Sequence, residues 1–528
     1  MSEVLRIEDL SVAIAATPIV KNLSLSIAAG EILGVVGASG SGKSMTARAI
    51  MQLLPPGAGM SGSVRLRGEL LSSMSDVQMQ AVRGRDVGMI FQDPMSALNP
   101  LMRIGDQVAE TVLLHRAVSR RAAREAAREA LDQVGLSGEA GALDRLPFEL
   151  SGGQRQRVAI AMAVVMAPCL LIADEPTTAL DVISQAQVLA LLRDLARVRG
   201  MGLLLVTHDM AVVAQLTDRV AILQHGAIIE QGSTVQILQH GREPYTQSLL
   251  AAARLQPKRT VTPRADAAEV LQVDGVVLEY PRRRRSLFIA APPLRAVDGV
   301  SLSIRAGETV GLVGESGSGK SSLLKVILAL QRSNHGGVSL LGNSFSGGAT
   351  TKRLRRGIQA VFQDPVGSFD PRWPVERLVA EPFFLLDAPP HAAERSRKVA
   401  EVLDQVGMKA GDAQRYPHEF SGGQRQRIAI ARALITQPAV IAFDEAVSAL
   451  DVLVREQILL LLAQLAERLN LAYLFVTHDL HVIRAIADRI YVMQYGRIVE
   501  EGATESVFNS PQHAYTRALI EATPALPA

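Results

Sequence analysis

The chain of 528 residues contains a single cysteine, Cys169. A disulfide framework, a cysteine-rich zinc site and an iron–sulfur cluster are excluded by that count. Lysine is nearly as scarce: eight of the 55 basic side chains are lysines and the rest are arginines. A lysine that is kept therefore marks a position to look at twice. Charged residues make up 20%, below the usual share of about 25%, and the net charge of +3 is too small for a protein that coats nucleic acid. No hydrophobic run is long. Val158–Ala173, the longest, is broken by Pro168 and falls short of the roughly 20 residues a membrane helix needs. The start carries Glu3, Glu8 and Asp9 and has no apolar signal-peptide core, so the expected location is the cytoplasm. What the chain does have is 48% hydrophobic residues and a mean hydropathy of +0.18. That balance supports large cores and hints at a greasy partner surface. At roughly 150 residues per domain, the length predicts three or four compact units.

The sequence is one unit written twice. GASGSGKS at Gly37–Ser44 recurs as GESGSGKS at Gly314–Ser321, and FQDP at Phe91–Pro94 recurs at Phe362–Pro365. SGGQRQR at Ser151–Arg157 recurs at Ser421–Arg427, ADEPTTALD at Ala173–Asp181 recurs as FDEAVSALD at Phe443–Asp451, and VTHD at Val206–Asp209 recurs at Val476–Asp479. One register, an offset of 270, carries the SGGQ serines Ser151 and Ser421, the glutamates and the histidines of these motifs, and the FQDP glutamines depart from it by one. Chance matches do not hold a register over a hundred residues. The expected division is a first domain over 1–253, a linker over 254–270 and a second domain over 271–528. Arg282–Arg285, near the start of the second copy, reads as a solvated hairpin tip, with an anionic-lipid contact as the alternative.

Within each copy, apolar runs that end in motif residues read as buried parallel strands: EILGVVG, CLLIADE and GLLLVTHD, then ETVGLVG, AVIAFDE and AYLFVTHD. Between the FQDP and SGGQ motifs lie helical patterns such as SRRAAREAAREALDQVG. The expected fold is α/β, a P-loop NTPase core with a helical subdomain, duplicated in tandem.

GxxxxGK[ST] is a phosphate-binding loop. Gly37, Ser39, Gly40, Ser41 and Gly42 supply backbone and hydroxyl groups to phosphate, Lys43 reaches the β/γ-phosphates, and Ser44 offers an oxygen to Mg²⁺. Gly314, Ser316, Gly317, Ser318, Gly319, Lys320 and Ser321 repeat the set. Both loops follow an apolar strand and precede a helix, which adds the positive end of the helix dipole. The pair of acids at the end of a buried strand assigns Asp174 and Asp444 to holding Mg²⁺ through water, and Glu175 and Glu445 to polarising the attacking water. His208 and His478 follow their glutamates at the same distance in both copies and read as γ-phosphate contacts. SGGQ before a helix reads as a serine cap with exposed N–H groups, a second anion site in the same copy.

Together these motifs resemble the ATP-binding-cassette family over nearly the whole chain, with ELSGGQRQRVAIA and EFSGGQRQRIAIA similar to its signature. In that family the signature of one domain caps the nucleotide held by the other. The resemblance implies one site pairing Lys43, Gln92, Glu175 and His208 with Ser421, Gly422, Gly423 and Gln424. The other pairs Lys320, Gln363, Glu445 and His478 with Ser151, Gly152, Gly153 and Gln154. It also implies that Gln92 and Gln363 take part in catalysis and in holding Mg²⁺, that Tyr280 stacks on adenine where the first copy has Ile14, and that ATP is the cofactor. FQDPMSALNP, FQDPVGSFDP, PYTQSLL and AYTRALI are similar to the dipeptide/oligopeptide/nickel importer subfamily. That implies two integral-membrane permease subunits, a periplasmic solute-binding protein, and a peripheral location on the cytoplasmic face of the bacterial inner membrane, with no nucleic-acid partner. The alternative is a tandem cassette acting on ribosomes or DNA, disfavoured by the short linker and the lone cysteine.

Overall fold

The structure is a computed structural model that describes residues 2–93, 97–136, 142–178, 180–254, 267–281, 292–345, 352–365, 367–448 and 450–526. The Arg282–Arg285 run lies outside these. The chain divides into two compact units, the first holding Met1–Arg254 and the second most of the remaining residues. Of the expected linker, residues 254 and 267–270 are described, and Glu269 already begins the first strand of the second copy, Glu269–Tyr280.

Each unit carries two sheets. In the first, a six-stranded sheet places strand Ile32–Val36 between Gly202–Thr207 and Arg219–Gln224, all parallel, with Leu170–Asp174 and Val87–Ile90 continuing beyond Gly202–Thr207. Every residue of Ile32–Val36, Leu170–Asp174 and Gly202–Thr207 is buried, as expected where both faces of a parallel sheet are covered. Ala227–Ser233 closes one edge as an antiparallel hairpin strand. The second unit repeats the order with Thr309–Val313 between Ala472–Thr477 and Arg489–Gln494.

A four-stranded antiparallel sheet, led by the paired strands Glu3–Ile14 and Thr17–Ala28, accompanies the first large sheet, and Glu269–Tyr280 with Leu294–Arg305 leads its counterpart. The apolar residues of these strands pack with one face of the large sheet: Leu5, Ile7 and Leu10 share a core with Leu33, Val35 and Leu204. The opposite face of the large sheet packs on the helical insert. Helix Arg120–Gln133 is capped by Ser119, whose side chain accepts the Ala122 N–H, and it buries Ala123, Ala127, Ala130 and Leu131. That stripe of small residues joins Leu171, Ala173 and Leu205 in one core. The apolar run Val158–Ala173 is divided between the end of helix Gly152–Val164 and the start of strand Leu170–Asp174. Among the described residues no helix is long and apolar enough to cross a membrane.

Candidate functional site

Three neighbouring parallel strands deliver the motifs to one edge. In the sheet register Val36 sits beside Thr207, and Asp174 beside Val206. The phosphate loop, the paired acids and the histidine therefore all emerge at the carboxyl ends of adjacent strands, where ligands of such sheets bind. The second copy has the same register, Val313 beside Thr477 and Asp444 beside Val476.

The loop geometry depends on its glycines. A Cβ on Gly37 would lie 2.2 Å from the Leu223 carbonyl oxygen, so no larger residue fits. Gly42 enters helix Lys43–Ile50 with φ of 103°, a conformation that side chains other than glycine's strongly disfavour. Lys43 is 5% exposed; its Nζ donates to the carbonyls of Gly37 at 2.7 Å and Ala38 at 3.0 Å. Lys320 Nζ does the same with Gly314 at 2.7 Å and Glu315 at 2.8 Å. Burial lowers the Lys43 pKa, and the nearby charges of Glu175 and Asp174 oppose that shift. Ser39, Gly40 and Ser41 follow Gly37 through the turn of the first loop, with Ser41 buried.

Ser44 Oγ donates to Asp174 Oδ1 at 3.0 Å. Burial pushes both Asp174 and Asp444 up from the usual carboxylate range. Glu175 behaves differently. Burial works against its charge, but His208, Thr178 and Lys43 together hold the carboxyl below its ordinary value. Its Oε1 lies 3.2 Å from His208 Nδ1, and its Oε2 accepts from Gln92 Nε2 at 2.9 Å and Thr178 Oγ1 at 3.0 Å. In the second copy Glu445 Oε1 lies 3.0 Å from His478 Nδ1. Burial again opposes its charge and His478 again outweighs that, so its carboxyl too is held down. Ser448, at the position of Thr178, donates instead to the Glu445 carbonyl at 2.8 Å. Gln363 is exposed.

Tyr280, Ser316, Gly317, Gly319, Lys320 and Ser321 line an open pocket of about 510 Å³ that also reaches Glu445. Tyr280 Oη donates to Gln331 Oε1 at 3.0 Å, which fixes the ring at the mouth of the phosphate loop. Ile14 ends the matching strand of the first copy, paired with Thr17. The signature lies elsewhere in each unit. Ser151 caps helix Gly152–Val164, its Oγ accepting from Gln154 N at 3.2 Å while Gln154 Oε1 accepts from Ser151 N at 2.9 Å. Ser421 and Gln424 form the same reciprocal pair at the head of helix Gly422–Leu434. Neither Ser421, Gly422, Gly423 nor Gln424 is among the residues lining the pocket of its own copy.

Sequence reasoning missed Thr178 as a partner of Glu175, and it gave no role to Tyr245 and Tyr515. These hydroxyls accept the backbone N–H of Ala38 and Glu315, both at 2.8 Å. The motif PYTQSLL and its counterpart AYTRALI were the available signal.

The family model described as ABC transporter matches residues 20–178 and 297–448. One described as Oligopeptide/dipeptide transporter, C-terminal region, matches 499–528. The chain is 44% identical over 530 residues to the peptidoglycan transport ATP-binding protein YejF of Agrobacterium fabrum, covering 98% of this chain and 96% of that one. It is 44% identical over 545 residues to the glutathione import ATP-binding protein GsiA of Salmonella paratyphi A, covering 96% and 86%. It is 41% identical over 608 residues to the oligopeptide transport ATP-binding protein OppD of Mycobacterium bovis, covering 99% of each. The chain belongs to the ABC transporter family, with two ATP-binding domains in one polypeptide, and is an ATPase that energises a membrane importer.

Proposed function

We propose that each ATP is bound between the phosphate loop of one domain and the SGGQ helix of the other, and that hydrolysis drives a permease pair for peptides or related small solutes. The observation that carries this reading is the repetition of one constellation, Lys–Asp–Glu–His at the ends of adjacent strands, in both units. The second unit's signature is absent from the pocket at its own loop, as a composite site requires.

Glu175 and Glu445 are carboxylates at neutral pH, each hydrogen-bonded to a histidine. Such a group accepts a hydrogen bond from the attacking water and orients it toward the γ-phosphorus. Lys43 and Lys320 keep their loop carbonyls as anchors and reach the phosphate oxygens from there, and the SGGQ helix brings its N-terminal N–H groups to the γ-phosphate from the opposite side. His208 and His478 hold the glutamate and contact the γ-phosphate. Ser44 and Asp174 stand 3.0 Å apart and are the hard oxygen donors that Mg²⁺ and its bound waters take. With Gln92 they would hold Mg²⁺ in the first site, and Ser321, Asp444 and Gln363 in the second. When bound, the ion neutralises charge on the β- and γ-phosphate oxygens.

The partners proposed are two integral-membrane permease subunits and a periplasmic solute-binding protein, with this chain peripheral on the cytoplasmic face of the inner membrane. Relatives of nearly equal identity are named for peptidoglycan, glutathione and oligopeptide transport, which supports placing cargo choice outside the ATPase chain. Steady-state hydrolysis by Glu175→Gln and Glu445→Gln variants tests the two-site reading. Each single variant should lose at least half the rate and the double variant all of it. Full activity in either single variant contradicts the proposal.

A further inference from the structure

Each copy ends in a helix whose second residue is a tyrosine, Pro244–Ala253 with Tyr245 and Ala514–Ala522 with Tyr515. Tyr245 stands 207 residues along the chain from Ala38, and Tyr515 stands 200 from Glu315, yet the two tyrosines reach the phosphate loops. Ala38 N–H donates to Tyr245 Oη, and Glu315 N–H donates to Tyr515 Oη, both at 2.8 Å. The loop lysines act on the same peptide groups from the other end. Lys43 Nζ donates to Gly37 O and Lys320 Nζ to Gly314 O, both at 2.7 Å. A single peptide unit, Gly37–Ala38 in one copy and Gly314–Glu315 in the other, is thus held at its carbonyl by the lysine and at its N–H by the tyrosine.

The placement of the tyrosines is itself built. Glu230, on the edge strand Ala227–Ser233, accepts the backbone N–H groups of Arg242 at 2.8 Å and Glu243 at 3.3 Å. Glu500 accepts those of Gln512 at 2.7 Å and His513 at 3.0 Å. Both turns that lead into the helices are therefore tied to the sheet. Leu249 and Leu519, one turn further on, are buried and seat the helices.

We propose that Tyr245 and Tyr515 are positioning residues for ATP binding, each fixing the peptide whose carbonyl holds the loop lysine. Hydrogen bonds at the two ends of one amide polarise it in the same direction and strengthen each other. Loss of the hydroxyl takes that acceptor away from the loop N–H and frees the peptide to turn, so the ammonium loses its fixed resting place beside the phosphates. The region matched as the oligopeptide/dipeptide transporter C-terminal region includes Tyr515, so a segment peripheral to the cassette motifs acts directly on the nucleotide loop.

This inference rests on the reading of the loops as ATP sites, and the test separates the two. Binding of a fluorescent ATP analogue, KM and kcat for ATP, and the thermal midpoint are measured on the full chain. The variants are Tyr245→Phe, Tyr515→Phe and their combination, beside Leu249→Ala and Leu519→Ala, which loosen the same helices and keep the hydroxyls. The phenylalanine variants should raise Kd and KM by about 3- to 10-fold, the span of one neutral hydrogen bond, with little change in the midpoint. The leucine variants should lower the midpoint and leave KM within about twofold. An unchanged KM in the phenylalanine variants, or an equal rise in the leucine variants, overturns the positioning role. Lys43→Ala with Lys320→Ala should abolish analogue binding in every case. If it does not, the ATP reading of the loops fails, and the inference falls with it.

Discussion

Glu175 and Glu445 have φ of 48° and 49°, a left-handed conformation that costs a side-chain-bearing residue about 1–3 kcal/mol. The neighbouring strand holds them there: Glu175 N–H donates to Val206 O at 2.9 Å, and Glu445 N–H to Val476 O at 2.8 Å. The second copy has Ala446 where the first has Pro176, and the backbone of the glutamate is unchanged, so the proline is not what sets it. His478 is pulled two ways. Burial disfavours its charge, but the hydrogen bond and charge of Glu445 win and raise its pKa above the ordinary value. A raised histidine pKa stabilises the fold at low pH, and that contribution is lost as pH rises through the folded value. Glu445→Gln should therefore lower the His478 pKa in an NMR titration; an unchanged or higher value would contradict the pairing. In the first copy, Ile14→Tyr should tighten ATP-analogue binding by about fivefold or more, since stacking on a base is worth about 1 kcal/mol or more. No gain would mean that the first site holds adenine by other groups. The glutamates and histidines were legible because their spacing repeats. Tyr245 and Tyr515 were visible only as members of a repeated motif; that their hydroxyls reach a loop some 200 residues away is not written in the local pattern.

The strands that end in motif residues were legible as unbroken apolar runs. The antiparallel sheets were not, since Glu3–Ile14 and its partners mix exposed and buried positions with bulges in register and carry no motif. The helical insert also differs between copies. Where the first has helix Ile104–His115, the second has a shorter helix, Val375–Ala380, followed by a tight 3₁₀ segment, Glu381–Leu385, with Pro382 near its start. The sheets share a backbone but not a filling. Phe443 and Phe475 stack at 4.5 Å, and Tyr473 meets Phe443 edge-on at 5.2 Å, where the first copy has Ala173, Leu205 and Leu203. Phe443→Ala should destabilise the second unit by about 3–5 kcal/mol, as large-to-small core changes do, read by denaturant unfolding; a loss under about 1 kcal/mol would show that the cluster is not close-packed. At the helix ends, Ser151→Ala removes the hydroxyl that accepts the Gln154 N–H and should cost about 1 kcal/mol in the same measurement.

At the scale of the whole molecule, the proposed reading makes duplication govern how the sites work. Two near-copies of one fold would be redundant if each turned over ATP alone. They are interdependent if each supplies a loop to one site and a signature to the other. On this account only the first site of a Glu445→Gln chain still hydrolyses ATP, and that site takes its cap from Ser421. The steady-state ATPase rate of that chain with Ser421→Arg added, compared with Ser151→Arg added, tests the claim most directly. The account predicts that Ser421→Arg lowers the remaining rate at least tenfold and that Ser151→Arg lowers it much less. Loss of the rate with Ser151→Arg, and its survival with Ser421→Arg, would contradict it.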